Sequence, residues 1–505
     1  MSIKKTTALF GILLFFVANS ALAQIGQVSI IRDSIYSNIL KENRAIEIVL
    51  PKEYDNIPTA RYDVTYITDG EWNTQIVANI ERFLEIQFIP ANIMVSLPNT
   101  ILQGQNMRGR DLTPTRSGGD SNSGGAARYL AFLKTELIPY INKKYRTTGM
   151  NTYHGGSLGG LFGMYALIKE PGLFQSYLLA DPSFWWDNGY LPKLVRDSIG
   201  TINLKNTTLL ITGREGEPAQ GQRINIMDSI LRKAAPEGFH YKMMLYNDET
   251  HNSMIFRTVY DGLKLTYHGY NKEGLNFYPM GGILLKDKPF KMRFQGDFLK
   301  ELHYTIDGSI PTVASPQIKD SNLILNNTTR LNLKELTYRP GYEQQDSADF
   351  VIGSVLPAGT QLKNFTSGGW NYAYYEGNWN TLPDFKKLTP AAKGREGVNF
   401  DLSKLSKQQN FACVFTGQLK ITDTGYCVFG VRSSGETKMY INNQLIISQQ
   451  TAGIKSYVLP LQKGFYTVKI EFLAKEGKPS LEVLYAPENG NGGEIPMELR
   501  YGNGK

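Results

Sequence analysis

The sequence predicts an α/β sheet with helices on both faces, followed by two all-β modules. Three observations predict it. Short apolar strands alternate with helical stretches over roughly the first half of the chain. Near residue 277 the pattern changes to strands with period-two alternation. From about residue 357 the β character continues with many aromatic residues and tight turns.

Taken in order, residues 1–23 come first. Lys4 and Lys5, an apolar core over 8–17 and Ala21-Leu22-Ala23 form the pattern of a cleaved secretory signal. The apolar stretch is too short to span a bilayer, and no later segment is apolar enough to do so. The chain is therefore expected in a periplasm or outside the cell, beginning at Gln24. Its 505 residues are too many for one core.

In the first half, residues 45–49, 62–67, 93–97, 207–212 and 241–246 read as strands. Residues 126–144 and 161–168 read as helices, and Thr152 leads a strand into a glycine-rich turn. In the second segment, 290–294, 302–306, 323–325 and 330–336 read as strands, with Asp307-Gly308 as a hairpin signal. In the third, Asp423-Thr424-Gly425 and Lys463-Gly464 mark turns.

The formal charge of +8 is scattered, which describes a solvated surface and not a nucleic-acid footprint. Two cysteines, Cys413 and Cys427, permit one bridge at most, and the turn at Thr424-Gly425 does not set them opposite each other in a simple hairpin. No metal-ligand cluster or phosphate loop is evident, so no cofactor is expected.

The most informative segment is Tyr153-His154-Gly155-Gly156-Ser157-Leu158-Gly159-Gly160-Leu161. It is G-x-S-x-G between a strand and a helix, which places Ser157 on a sharp turn with its hydroxyl exposed. Such a serine needs a base, an orienting acid and an oxyanion hole. Of five histidines, His251 alone follows a strand at the expected carboxyl edge. The acid is expected after the strand 207–212, as Glu215 or Glu217. Asp248 and Glu249 rank behind them because they share a loop with the base. Oxyanion donors are expected from the Leu158 N–H and from the loop Thr68-Asp69-Gly70-Glu71-Trp72, with Gly70 allowing close approach and Glu71 N–H donating. Trp72, Trp185 and Trp186 are candidate walls of an acyl pocket.

Together these residues resemble the esterase D and enterochelin-esterase branch of the α/β-hydrolases, a feruloyl-esterase-like family. Asn106-Met107-Arg108-Gly109-Arg110-Asp111-Leu112-Thr113-Pro114-Thr115 is similar to its N-x-x-R-x-R-D-L-T-P-T segment. Residues 132–141 are similar to the helix before its nucleophile. Asp181-Pro182-Ser183-Phe184-Trp185-Trp186 resembles S-P-S-x-W-W, and Glu249-Thr250-His251-Asn252-Ser253 resembles E-x-H-x-S. Gly156 departs from the histidine common before the serine. The likeness implies an α/β-hydrolase esterase domain over 24–270.

Tyr304-Thr305-Ile306-Asp307-Gly308-Ser309-Ile310-Pro311-Thr312 resembles the signature of the Ig-like sandwich appended to chitobiase-type glycosidases, here 277–352. Tyr374-Tyr375-Glu376-Gly377-Asn378-Trp379, Phe415-Thr416-Gly417, Gly425-Tyr426 and Tyr440-Ile441-Asn442-Asn443 resemble a PA14-type β-barrel, here 357–490. Ser433-Ser434-Gly435-Glu436 stands where sugar-binding members carry paired aspartates for calcium.

The expectation is a secreted serine ester hydrolase working through an acyl-enzyme, without cofactor. Fold-level analogy with the β modules suggests acetyl or feruloyl esters on polysaccharides, with a glycan bound by the C-terminal module. The alternatives are a siderophore-ester hydrolase, or an inert glycan-binding protein.

Overall fold

The computed structural model describes residues 28–503, apart from 118, 273, 296–300, 320–321, 397–399, 401, 403–409, 476–477 and 489. The expected secretory signal over 1–23 lies outside these residues. Among the described residues, no helix is long and apolar enough to cross a membrane. The chain divides into two compact units, one ending at Thr266 and one starting at Tyr267.

The first unit is built on eight strands: β1 (Ile31–Ser37), β2 (Glu42–Val49), β3 (Tyr62–Thr68), β4 (Asn92–Leu97), β5 (Thr147–Gly156), β6 (Ser176–Ala180), β7 (Thr207–Arg214) and β8 (Phe239–Tyr246). Their order is β1-β2-β4-β3-β5-β6-β7-β8. The first two pairings are antiparallel and the rest parallel. Every residue of β3, β4 and β6 is buried, as a sheet covered on both faces requires.

Two of the helices concern the site most: α1 (Gly70–Leu84), which follows β3, and α2 (Leu158–Lys169), which follows β5. A third, α3 (Met254–Thr266), closes the unit. A Cβ on Gly163 of α2 would lie 2.5 Å from Leu179, and one on Gly262 of α3 would lie 2.5 Å from Leu178. Neighbouring strand residues point to opposite faces, so α2 and α3 cover opposite faces of the sheet. Both use glycine to come close. This is the α/β-hydrolase architecture. The helix expected over 126–144 is continuous, with a π-turn at Leu133–Leu137 inside it.

Two strands of this sheet were not legible, Ile31–Ser37 and Ser176–Ala180. Ser176–Ala180 is a five-residue apolar run, and periodicity cannot separate such a run from buried helix. That omission bears directly on the site.

The second unit is all β. Its first part contains β9 (Asn276–Tyr278), β10 (Gly281–Leu285), β11 (Phe290–Gln295), β12 (Leu302–Thr305), β13 (Asn322–Leu325), β14 (Thr329–Glu335) and β15 (Gln344–Gly353). Asp307-Gly308 does not close a tight two-residue hairpin: the chain returns antiparallel to β12 only at 316–318, where His303 bridges Gln317 and Tyr304 N–H donates to Pro316 O at 2.9 Å. β12 pairs with β14, and Asp307 instead accepts hydrogen bonds from Ser309 N–H at 2.9 Å and its hydroxyl at 2.6 Å. An aspartate that satisfies its own loop holds the turn in a longer connection.

The barrel-like second part contains β16 (Phe365–Ser367), β17 (Asn371–Glu376), β18 (Ala392–Arg395), β19 (Phe411–Ile421), β20 (Gly425–Ser433), β21 (Glu436–Ile441), β22 (Gln444–Gln449), β23 (Gly453–Leu461), β24 (Gly464–Ala474), β25 (Leu481–Pro487), β26 (Gly493–Glu494) and β27 (Arg500–Asn503). β strands thus continue to Asn503. β10 pairs in parallel with β15 and, at Gly282, with Val458 of β23. One eight-stranded sheet, β12-β14-β15-β10-β23-β20-β25-β26, therefore runs from the first part into the second. Cys413 on β19 and Cys427 on β20 belong to different sheets, and both are buried free thiols. Burial pushes them up to about 12 and about 11.

Candidate active site

The site is assembled where β3, β5, β6 and β7 end side by side. Ser157 adopts φ 56°, ψ −115°, a conformation that costs a non-glycine residue about 1–3 kcal/mol. Its neighbours hold it there. Ser157 N–H donates to Ala180 O at 2.9 Å, and Ser157 O accepts from Leu161 and Ser183 N–H at 3.0 Å each. Gly155 has no space for a side chain, since a Cβ would lie 2.6 Å from the Gly159 carbonyl carbon. The turn therefore presents the Ser157 hydroxyl, which sits 3.2 Å from the Ser183 hydroxyl.

His251 lies in the loop after β8. Its Nδ1 is 2.7 Å from Oδ2 of Asp181, the residue that follows β6. Asp181 is fully buried. The same Oδ2 accepts from Arg214 Nε, also at 2.7 Å. The carboxylate behind His251 is thus Asp181, and the expectation of Glu215 or Glu217 is corrected. Both glutamates are exposed. Glu215 lies just past the end of β7, and Glu217 opens a short helix, Glu217–Gly221. Arg214, the last residue of β7, points to Asp181 instead. Glu249 is also engaged elsewhere: bonds from Ser253 and Arg257 hold its carboxyl below its ordinary value. Asp181 was within reach of sequence reasoning as the residue that replaces the first serine of S-P-S-x-W-W. Without β6 on the map, nothing placed it at a strand end.

His154 is excluded as a base by its position inside β5. It is fully buried, its Nδ1 meets Leu178 O at 3.0 Å, and burial lowers it to about 4.

The loop after β3 abuts the start of α2: a Cβ on Gly159 would lie 2.6 Å from Thr68 Oγ1. Leu158, Gly70 and Glu71 begin helices, so their N–H groups are donors that the helices leave open. Gly70 is needed for packing, because a Cβ there would lie 2.3 Å from Ser96 Oγ and 2.9 Å from Pro98 N. The Glu71 side chain accepts from Asn99 N–H and Nδ2. Asp69, at φ 58°, is gripped by Arg108 through Nε at 2.7 Å and Nη2 at 2.8 Å, and by Asn99. Arg108 Nη2 also reaches Gly156 O at 3.3 Å. The arginine of the R-x-R-D segment thus ties the loop after β3 to the residue before Ser157.

Of the three tryptophans, Trp72 and Trp185 are exposed. Trp186 is not a free wall, and that expectation is corrected: it is buried in the main core, and its indole donates to Thr115 O at 3.3 Å.

Residues 37–225 match the family model described as a putative esterase, and 370–498 match the PA14 domain model. The esterase likeness thus lies in residues 37–225. The esterase is similar to the ferri-bacillibactin esterase BesA of Bacillus subtilis, 25% identical over 252 residues, 45% of this chain and 86% of that protein. It is 26% identical over 152 residues to the siderophore triacetylfusarinine C esterase of Aspergillus fumigatus, covering 28% of this chain and about half, 52%, of that one. Among solved structures, an IroE-like serine hydrolase from Shewanella oneidensis is 31% identical, with a TM-score of 0.43, covering 47% of this chain and 79% of that one. The esterase is a carboxylic ester hydrolase, and its C-terminal barrel is a PA14 domain. Among the described residues, no cluster of His, Cys, Asp and Glu could hold a metal ion. Within 433–436, the Ser433 hydroxyl bonds Gly435 O, Thr437 and Gln449, and Glu436 accepts from Leu382 N–H.

Proposed function

We propose that Ser157, His251 and Asp181 form the catalytic triad of an exported hydrolase that cleaves esters carried on glycans. The observation that carries the chemistry is the buried Asp181 behind His251, at the crest where Ser157 is turned outward. Asp181 accepts a hydrogen bond from Nδ1–H, which leaves Nε2 to take the Ser157 proton as Oγ bonds the ester carbonyl carbon. The carbonyl electron pair moves to oxygen, facing the N–H groups of Leu158 and of Gly70 or Glu71. Collapse expels the alcohol, which takes the proton from His251. Water then repeats the sequence on the acyl-enzyme and releases the acid. Exposed Trp72 and Trp185 suit an aromatic or acyl group beside the crest.

The glycan assignment is supported by the PA14 match on the same chain. In this reading 24–270 is the catalytic domain and the β modules hold the polymer, with export directed by residues 1–23. A second reading, a siderophore ester, is favoured by the names of the relatives.

The test is turnover of p-nitrophenyl acetate by the wild type and by Ser157→Ala. Loss of about 10⁴ or more is expected; equal rates would remove the assignment. Acetylated xylan and methyl ferulate, set against a catecholate trilactone, then decide the substrate.

A further inference from the structure

The PA14 domain and the small sandwich share a sheet, and that sheet has two faces. Along β20, Cys427, Phe429 and Val431 point into the barrel core. Tyr426, Val428, Gly430 and Arg432 point the other way. Near β10 and β23 this outer face is covered, because Tyr426 and Val458 belong to the core of the small sandwich. Further along, it opens into a cleft of about 610 Å³.

The cleft has three kinds of surface. Its floor is flat and apolar, made by Gly430, Leu484 and Ala486. Gly430 keeps it flat, since a Cβ there would press on Leu484 Cβ at 3.2 Å. Tyr278 and Phe290 supply aromatic surface. Lys291, Arg293 and Arg432 supply positive charge. Lys291 and Arg293 alternate with buried Met292 and Phe294 on β11, so both stand on its exposed side. Neither has a carboxylate partner among the described residues. Arg432 donates through Nη1 alone to Glu482 at 2.7 Å. The single acid in the lining, Glu488, is already paired with Lys288. The cleft therefore carries unbalanced positive charge beside aromatic and flat apolar surface.

We infer that this cleft binds an acidic saccharide, with sugar rings laid on the floor and aromatic wall and uronate carboxylates held by Lys291 and Arg293. Flat apolar and aromatic surface suits the C–H face of a pyranose. Guanidinium and ammonium groups suit carboxylates. Neutral glycans give these cations nothing to pair with. The inference deepens the glycan reading by naming the polymer's charge, yet it does not depend on Ser157.

The experiment is calorimetric titration of the mature chain with trigalacturonic acid, which carries no ester, at low salt. The double variant Lys291→Ala/Arg293→Ala is titrated alongside, with its melting temperature as the control for folding. Binding by the wild type, weakened by about tenfold or more in the variant and weakened by added salt, supports the site. Equal binding of neutral xylotriose, undiminished affinity in the variant, tighter binding of oligothymidylate, or no binding of trigalacturonic acid would each overturn it. Failure of the ester reading shows itself separately, as unchanged turnover in Ser157→Ala.

Discussion

A buried charge cluster in the α/β unit and a pair of cations in the β unit treat charge in opposite ways. In the α/β unit, Asp69 is closed in by Arg108 and Asn99, and Glu42 and Asp111 are shared between Arg44 and Arg110. In the β unit, Lys291 and Arg293 stand exposed on one side of β11. Buried and satisfied charge fixes backbone, because any other arrangement strands an ion in low dielectric. Exposed cations of this kind fix nothing, and so remain free for a ligand. Positioning and binding thus fall to charges of different burial.

The largest effect tests a fully buried acid. Asp181→Asn is expected to lower kcat by about 10⁴, by losing the acceptor that orients His251. Glu215→Gln and Glu217→Gln are expected to leave kcat within about twofold, being surface changes away from the bonded pair. Steady-state turnover of p-nitrophenyl acetate decides it. A large loss in either glutamine variant would return the acid to the loop after β7.

Much of this unit was legible, for physical reasons. β3, β4 and β7 are buried runs with turn residues at their ends, and the Ser157 turn has glycines where backbone approaches backbone. The acid was not legible, because Asp181 acts through a strand pairing, Gly156 beside Ala180, that only the sheet order reveals. The shared sheet of the β unit was hidden for the same reason: Gly282 meets Val458 across a long stretch of sequence. Local chemistry is written in neighbouring residues, whereas register between distant strands is not.

Next in size is the buried clamp. Asp69→Ala leaves Arg108 without its bidentate partner, in a pair where the aspartate side chain is 4% exposed. A loss of about 3–5 kcal/mol in urea unfolding is expected. Lys291→Ala/Arg293→Ala should change stability by less than about 0.5 kcal/mol per residue. Similar losses in both would erase the contrast between the two clusters.

The glycines beside Ser157 allow a finer version. A Cβ on Gly155 meets the Gly159 carbonyl at 2.6–2.7 Å, whereas one on Gly156 finds its nearest atoms at 3.7 Å. Gly155→Ala should cost about 1–3 kcal/mol through overpacking against backbone, with turnover falling as the crest shifts. Gly156→Ala should be near neutral, in keeping with a position where the family tolerates histidine. Thermal melts and turnover of the pair check this, and equal damage from both would place the constraint elsewhere.

The last test concerns a buried acid that has no cation among the described residues. Glu81 sits inside α1, 3% exposed, and burial raises its carboxyl to about 8 despite a hydrogen bond with Thr65. Its folded value lies above the ordinary 4.5, so the folded protein holds a proton there that the unfolded chain has released. Stability contributed by neutral Glu81 is complete below about pH 4.5 and is lost as pH rises through about 8, by roughly 1.4 kcal/mol per pH unit at its steepest. Glu42 has the opposite sign. Burial opposes its ionisation, but bonds from Arg110 and Arg44 outweigh that and hold it below 4.5. Its contribution is present above that value and disappears as pH falls through the folded one. Glu81→Gln should therefore flatten the loss of stability between pH 5 and 8 and leave the acid limb unchanged. Urea midpoints across that range read the difference, and a variant whose midpoint still falls toward pH 8 would assign the slope to another group.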